Sequence, residues 1–461
     1  MLSKKQTNFI FFALIATTFL VSMTVTVTIN MLPAIMADFY ILPGSAQWLT
    51  SGATLVSGIM IPIAAYLIKR FPNKLYYVAA MIIFCVGSLL AGFAPSFNLL
   101  LVGRLIQAIG CGMIVPFAQI IIMSIYPQNK HGTVMSVFAV GAMVAPVVVP
   151  TISGIVIDTL GWRAMFIILF ILGCIVVTLG CLLMRNVTKK YLVSFPLIPI
   201  ILSSVGFCGV VIGIGNISIY PILRIQTGGA FLIGVISLFL FVKLQLTAET
   251  PFLNLRIFSN AKFRTSVIIS VLMYLISVGS GTVLPVFAQS TLGYTATSYA
   301  LATLPGSILM MFAVLSSGKI YDKHDEKPLI IGGLTVLAIG SFTGIFFSSE
   351  TGIFHIGLTS CLLSIGMGCL NTPTTTMGMS GLDDKARIES SSILNTLRQI
   401  AGALASTLGI LIFSLMGSLF DSIKAIKVVY IFYMGVALIA ILVIIPWLKK
   451  GQKNTHNVQK R

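Results

Sequence analysis

The chain has 461 residues, 57% of them hydrophobic and only 9% charged, where a soluble domain carries roughly 25% charged residues. Its net charge of +18 would suit a nucleic-acid surface only if the basic residues clustered on one polar face. They fall instead in short loops between apolar runs, so the composition excludes a soluble domain and a nucleic-acid partner and makes the lipid bilayer the solvent.

The first apolar run, 9–31, follows Lys4 and Lys5. It is too long for a signal-peptide core and has no small-residue cleavage site, so it reads as span 1 with the N-terminus in the cytoplasm. Further spans are expected at 46–68, 75–94, 98–122, 133–157 and 164–184. Two more fall at 195–214 and 228–246, and six at 264–288, 298–318, 328–347, 353–377, 390–416 and 427–448. Fourteen spans place both termini on the cytoplasmic side. The charges agree: of 29 basic residues, only Arg163, Arg224, Lys424 and Lys427 fall in outer segments or at outer span ends, and only Arg104 and Arg398 lie more than one turn inside spans. A missed span would invert every later loop and destroy this bias.

An internal repeat follows. AYLIKRFPNK (65–74) and GKIYDKHDEK (318–327) are both short and basic, and both close an outward-to-inward span. They predict two related six-helix halves, spans 1–6 and 9–14, with spans 7 and 8 an inserted hairpin. The expected boundaries are 1–190, 191–248 and 249–461.

Several segments then match one family in order. Ala46-Gln47-Trp48 opens span 2; GRLIQAIGCG (103–112) lies in span 4; PVVVPTISGIVIDTLGWRAMF (146–166) runs from span 5 into span 6. ETPFLNLRIFSNAKF (249–263), LPVFAQSTLGY (284–294) and SSSILNTLRQIAGAL (390–404) follow. With these segments the chain resembles the fourteen-spanner drug/proton antiporters of the major facilitator superfamily. The resemblance implies an all-α membrane protein with the fold of that superfamily: two six-helix bundles, built as parallel repeats, plus the hairpin. It also implies efflux of drugs or similar amphipathic small molecules by alternating access, coupled to protons. The chain departs from the family in four places, one of them Ala145-Pro146 where the span 5 motif has Gly-Pro. Thr24 stands where the family has an acidic residue, Lys69 where the first inter-helix motif has Asp, and Pro72 where that motif has its second Gly.

The candidate pathway residues follow from polarity inside apolar spans. Arg104 costs roughly 2.5–3.5 kcal/mol at mid-membrane, so it either faces a central cavity or snorkels outward. Gln107, the span 1 threonines and nearby carbonyls are its candidate partners. Arg398, with Asn395 and Gln399, forms a second group on span 13, and Tyr274, Gln119, Gln289 and Asn371 are further candidates. On span 1, Thr24, Thr26 and Thr28 alternate faces, and Asn30 is the costlier group to bury. Gly141, Pro146, Pro150 and Gly154 make span 5 bent and closely packed, and the resemblance links them to export. Arg70, Lys74, Gly318, Asp322 and Lys323 are expected to hold a cytoplasmic gate.

The eleven acidic residues all lie at span ends or in loops, and none deep in a span. A proton-coupled pump normally uses an intramembrane carboxylate or His, so a carrier of a metabolite, lipid or peptide with other coupling stays open beside proton-driven drug efflux. The seven cysteines form no CxxC pair or metal spacing and read as small buried hydrophobes. No HExxH, Ser/His/Asp set or GxxxxGK[ST] is present, so neither an enzyme nor direct use of ATP is expected, and no cofactor or metal. The expected setting is a bacterial plasma membrane, the expected state a monomer, and the expected partners the bilayer, a small-molecule substrate and protons.

Overall fold

A computed structural model describes the backbone of residues 4–127, 131–187, 196–218, 220–221, 223–248, 251–323, 326–380, 382 and 384–458. Six long helices come first: α1 (Lys4–Phe39), α2 (Trp48–Arg70), α3 (Asn73–Gly92), α4 (Phe97–Ile125), α5 (His131–Leu160) and α6 (Trp162–Leu183). A hairpin of α7 (Leu197–Gly215) and α8 (Ala230–Thr247) follows. The last six are α9 (Ala261–Val286), α10 (Ala296–Lys323), α11 (Glu326–Gly344), α12 (Ile353–Met379), α13 (Asp384–Leu419) and α14 (Ser422–Val458). Thirteen are long and apolar enough to cross a membrane, and α5 adds the apolar stretch Val144–Leu160.

Local chemistry sets the helix ends. Ser96 caps α4 by accepting from the Leu99 N–H at 3.5 Å. Asn260 caps α9, its Oδ1 accepting from the N–H groups of Lys262 and Phe263 at 2.9 and 3.2 Å. Gly161, at φ +80°, takes the left-handed conformation that a side chain disfavours and breaks α5 from α6 in one residue. The first helix outruns its predicted span. Leu32 and Ile35 are buried, so their packing carries α1 past Pro33 to Phe39.

Contacts group the chain into two compact units: residues 1–241 with 293–301, and residues 242–292 with 302–461. In the first, α1 packs on α4, α5 and α6, α3 on α4 and α6, α2 on α4, and the hairpin helix α7 on α2. In the second, α9 packs on α12, α13 and α14, and α11 on α12 and α14. Taken separately, the two units share pairings eight helices apart: those of α1 with α4, α5 and α6, and of α3 with α4 and α6, recur for α9 and α11.

One crossing positions the candidate site of the first unit. A Cβ on Gly87 would sit 2.3 Å from the Gln107 backbone N, and one on Gly103 would sit 2.7 Å from the Ala91 N. The α3 and α4 backbones therefore touch, which only small residues permit. That contact presses the Arg104–Gln107 turn of α4 against α3. The second unit is centred on fully buried aromatics: Tyr430, Tyr433, Phe287 and Phe347, with Ser280 and Tyr430 sharing a hydrogen bond of 2.8 Å.

Candidate functional site

In the first unit Arg104 is 2% exposed and Gln107 fully buried. They lie three residues apart, one turn of α4, and so share a face. The guanidinium donates from Nη1 to Gln107 Oε1 and from Nε to the Leu49 carbonyl of α2 at 3.4 Å. Gln107 Nε2 then donates to Ser88 Oγ of α3 at 2.7 Å, and Ser88 donates to the Phe84 carbonyl at 2.8 Å. Of the partners the sequence offers for Arg104, Gln107 and a carbonyl are used and the span 1 threonines are not. Gln47, at the start of α2, is fully buried with neither side-chain amide atom partnered.

The polar residues of α1 divide by role. Thr24 and Thr28 are fully buried, yet each donates back to its own helix, to the Leu20 carbonyl at 2.9 Å and the Thr24 carbonyl at 2.8 Å. Such back-bonding satisfies the hydroxyl without a second helix. Asn30 instead reaches α5, donating to Ser153 Oγ at 2.9 Å and to the Pro150 carbonyl at 3.2 Å. Helix α5 stays helical through Pro146 and Pro150. Gly154 lies where a Cβ would come 2.9 Å from Thr297 Cα and 3.0 Å from the Ala296 carbonyl. One turn on, the Asp158 carboxylate accepts from the Thr297 N–H at 2.9 Å. Residues 293–301, which belong to the first unit, are thus held on α5. A Cβ on Gly141 would come 2.6 Å from Ile15 Cγ2 of α1. Gly141 lines an apolar groove of about 560 Å³ with Phe9, Phe12, Phe19, Val144 and Leu183.

In the second unit Arg398 of α13 is 6% exposed. Its Nη2 donates to Ser270 Oγ of α9 at 3.1 Å, and to Thr374 Oγ1 and the Asn371 carbonyl of α12 at 3.0 and 3.4 Å. The Tyr274 ring lies 5.8 Å from the guanidinium, while Nε is buried without a partner. Asn371 and Tyr274, which meet the guanidinium, and Asn395 and Gln399 on the same helix as Arg398 are all half-buried. Ser88, Ser270, Thr374 and Ser153 were missed by sequence reasoning, because a lone hydroxyl in an apolar span looks like any small residue.

The Major Facilitator Superfamily family model matches residues 14–406. The chain belongs to the major facilitator superfamily. It is 31% identical over 395 residues to the uncharacterized MFS-type transporter YcnB of Bacillus subtilis, covering 86% of this chain and 84% of that protein. It is also 31% identical over 384 residues to the lincomycin resistance protein LmrB of the same organism, covering 82% and 79%. A bacterial homologue of the human lysosomal transporter Spinster, solved in an inward-facing, unoccupied conformation, shares the fold with a TM-score of 0.70 at 15% identity, covering 96% of this chain and 97% of that one.

In this superfamily member the predicted outer ends of α1 and α6 are clasped. Arg163 pairs with Asp38 at 2.6 Å and lies 4.3 Å from the Trp162 ring, whose Nε1 donates to the same carboxylate at 3.3 Å. At the opposite end Arg70 donates to the Tyr66 hydroxyl at 3.3 Å, and the Lys74 backbone N–H donates to Asn186 Oδ1 at 3.2 Å. A Cβ on Gly318 would meet Thr372 Cγ2 at an ordinary 3.6 Å, so close approach does not demand glycine there. The side chains of Lys69, Asp322 and Lys323 lie outside the described residues. The cysteines depart from the expected burial: Cys85 and Cys111 are buried, but Cys174 is exposed on the apolar surface, because a thiol costs little against lipid.

Proposed function

We propose that this chain is a secondary exporter of drugs or similar amphipathic small molecules, working by alternating access and driven by the proton gradient. The observation that carries the reading is the identity to the lincomycin resistance protein along four-fifths of the chain. The geometry fits it. A carrier needs polar groups inside the membrane that can change partners, and charged ones there mark substrate or ion pathways. Arg104, Gln107, Thr24 and Asn30 in the first unit, with Arg398, Gln399, Asn395 and Tyr274 in the second, are the pathway candidates. Gly141, Pro146, Pro150 and Gly154 form the bent, closely packed helix of the export motif. Arg70, Lys74, Gly318, Asp322 and Lys323 form the cytoplasmic gate.

The same reading assigns residues 1–190 and 249–461 to two six-helix halves, with 191–248 inserted between them. It places a monomer in a bacterial plasma membrane with both termini in the cytoplasm, as the distribution of Lys and Arg favours. The protein uses no cofactor and makes no covalent intermediate.

A second reading is a carrier of a metabolite, lipid or peptide with different coupling. One observation favours it: no acidic residue lies deep in a span. Reconstitution into liposomes with an imposed pH gradient, the membrane potential held at zero, separates the two. Proton-driven export predicts that collapsing the gradient stops net substrate flux; unchanged flux leaves only the second reading.

A further inference from the structure

We infer that Arg398 is the anchor for a negatively charged headgroup, and that the substrates of this exporter are amphipathic organic monoanions such as carboxylates. The inference rests on the reading of the chain as an exporter.

A guanidinium does not lose its proton in a protein, so Arg398 brings a permanent positive charge into the second unit at 6% exposure. All its described hydrogen-bond partners are neutral: two hydroxyls and one carbonyl. The nearest acidic residue along α13 is Glu389, nine positions away and about 13 Å along a helix rising about 1.5 Å per residue. Its carboxylate is engaged elsewhere, accepting from Asn254 Nδ2 at 2.9 Å. Among the described residues no carboxylate pairs with Arg398; a buried charge of one sign without a counter-charge is costly, and an anion arriving in that place recovers much of the cost.

The fork itself shows where such an anion binds. Three contacts crowd onto Nη2 while the buried Nε has none. Nε and Nη2 share the edge of the guanidinium that grips a carboxylate through two parallel hydrogen bonds, so an incoming carboxylate takes the idle Nε–H and displaces one of the neutral acceptors from Nη2. Tyr274, half-buried beside it, offers a flat apolar face with a polar tip to the body of the same molecule. Arg104 differs: its Nε and Nη1 are committed to Leu49 and Gln107, a side-chain acceptor that is itself anchored on Ser88. A lipophilic cation would be repelled at Arg398, and a neutral ester would gain no charge-assisted bond.

The test uses the full chain in nanodiscs, with empty nanodiscs as the blank, and three probes on one scaffold: 4-(1-pyrenyl)butyrate, its methyl ester and 4-(1-pyrenyl)butylamine. Equilibrium dialysis should show the carboxylate binding at least about ten-fold tighter than the other two, the difference that one or two charge-assisted bonds produce. Arg398→Gln should erase that preference while leaving the ester unchanged, and Arg398→Lys should keep part of it. The proposal is overturned if the native chain binds the ester or the amine as tightly as the carboxylate. It is equally overturned if Arg398→Gln, folded by its melting profile, retains the preference. Should that variant fail to fold, the native comparison and Arg398→Lys still decide. Flux in proteoliposomes is scored separately. Tight carboxylate binding without movement would sink the exporter reading and leave the anchor. Movement of all three probes with no charge preference would do the reverse.

Discussion

Gln107 stands between Arg104 and Ser88, accepting from the guanidinium through Oε1 and donating to the serine at 2.7 Å through Nε2. The amide therefore converts a charged donor on α4 into a neutral tie to α3 and leaves neither of its own polar atoms idle. Because all three side chains are buried, removing the middle one strands a charged donor on Arg104 and an acceptor on Ser88. Gln107→Ala should destabilise the protein by about 1–3 kcal/mol, the cost of unmet buried polar groups. Ser88→Ala, which strands only the amide, should cost about 1 kcal/mol. Melting of the purified variants in detergent checks the order. Equal effects from the two substitutions would mean that Gln107 does not bridge.

Arg104→Lys should behave as a loss rather than a conservative change. The guanidinium uses two different nitrogens on partners from two helices, Leu49 and Gln107, and a lysine ammonium is a single point on a flexible stem. Export should fall at least about ten-fold, as expected when a bidentate geometry is lost, with the protein still inserted. A transport assay on membranes of matched protein content measures it.

Asn30 offers a cleaner coupling measurement. Its amide donates to both Ser153 Oγ and the Pro150 carbonyl, and Ser153 donates to that same carbonyl at 2.9 Å. Asn30→Ala and Ser153→Ala should each cost about 1 kcal/mol. The double variant should cost clearly less than their sum, since contacting residues are not additive. Additive costs would place the two side chains in separate environments.

The helices and their order were legible in the sequence because twenty-residue apolar runs and basic loops are strong, redundant signals. The ties that hold the site were legible only where both partners sit on one helix. Gln107 follows Arg104 by one turn and could be named from spacing alone. Ser88, Ser270 and Thr374 come from other helices, and Ser270 precedes Arg398 by 128 residues, so no local period announces them. Thr24 reads as a candidate pathway residue from its place in the motif, and its hydroxyl, like that of Thr28, donates to a carbonyl of its own helix, a tie that the motif does not announce. Asn30, with no short path to its own carbonyls, bonds another helix instead, donating to Ser153 and the Pro150 carbonyl of α5.

Gly154→Val should stop export. A Cβ at this position falls 2.9 Å from Thr297 Cα and 3.0 Å from the Ala296 carbonyl, both backbone atoms that cannot swing aside. Forcing them apart costs about 1–3 kcal/mol, as overpacking does, and weakens the bond from the Thr297 N–H to Asp158 one turn away. Gly318→Ala is the control, because its Cβ would meet only a methyl group at 3.6 Å. Export close to native in Gly154→Val would show that α5 and residues 293–301 do not need this contact for transport.

The membrane potential should drive export of the anionic probe directly. No acidic residue falls deep in a predicted span, so a monoanion bound at Arg398 meets no deep carboxylate that would carry a compensating proton. Moving one elementary charge through a potential is worth about 2.3 kcal/mol per 100 mV, and each tenfold ratio requires about 1.4 kcal/mol. An inside-negative potential of about 100 mV therefore supports a gradient of the carboxylate of roughly fifty-fold from the charge alone. The measurement is pyrenylbutyrate flux in proteoliposomes with the potential clamped by valinomycin and potassium, at equal pH on both sides. Proton exchange, where it operates, adds a separate response when nigericin collapses a pH gradient at constant potential. Flux of the carboxylate that ignores the clamped potential would mean that a compensating positive charge travels with it, and the search would then turn to which group carries that charge.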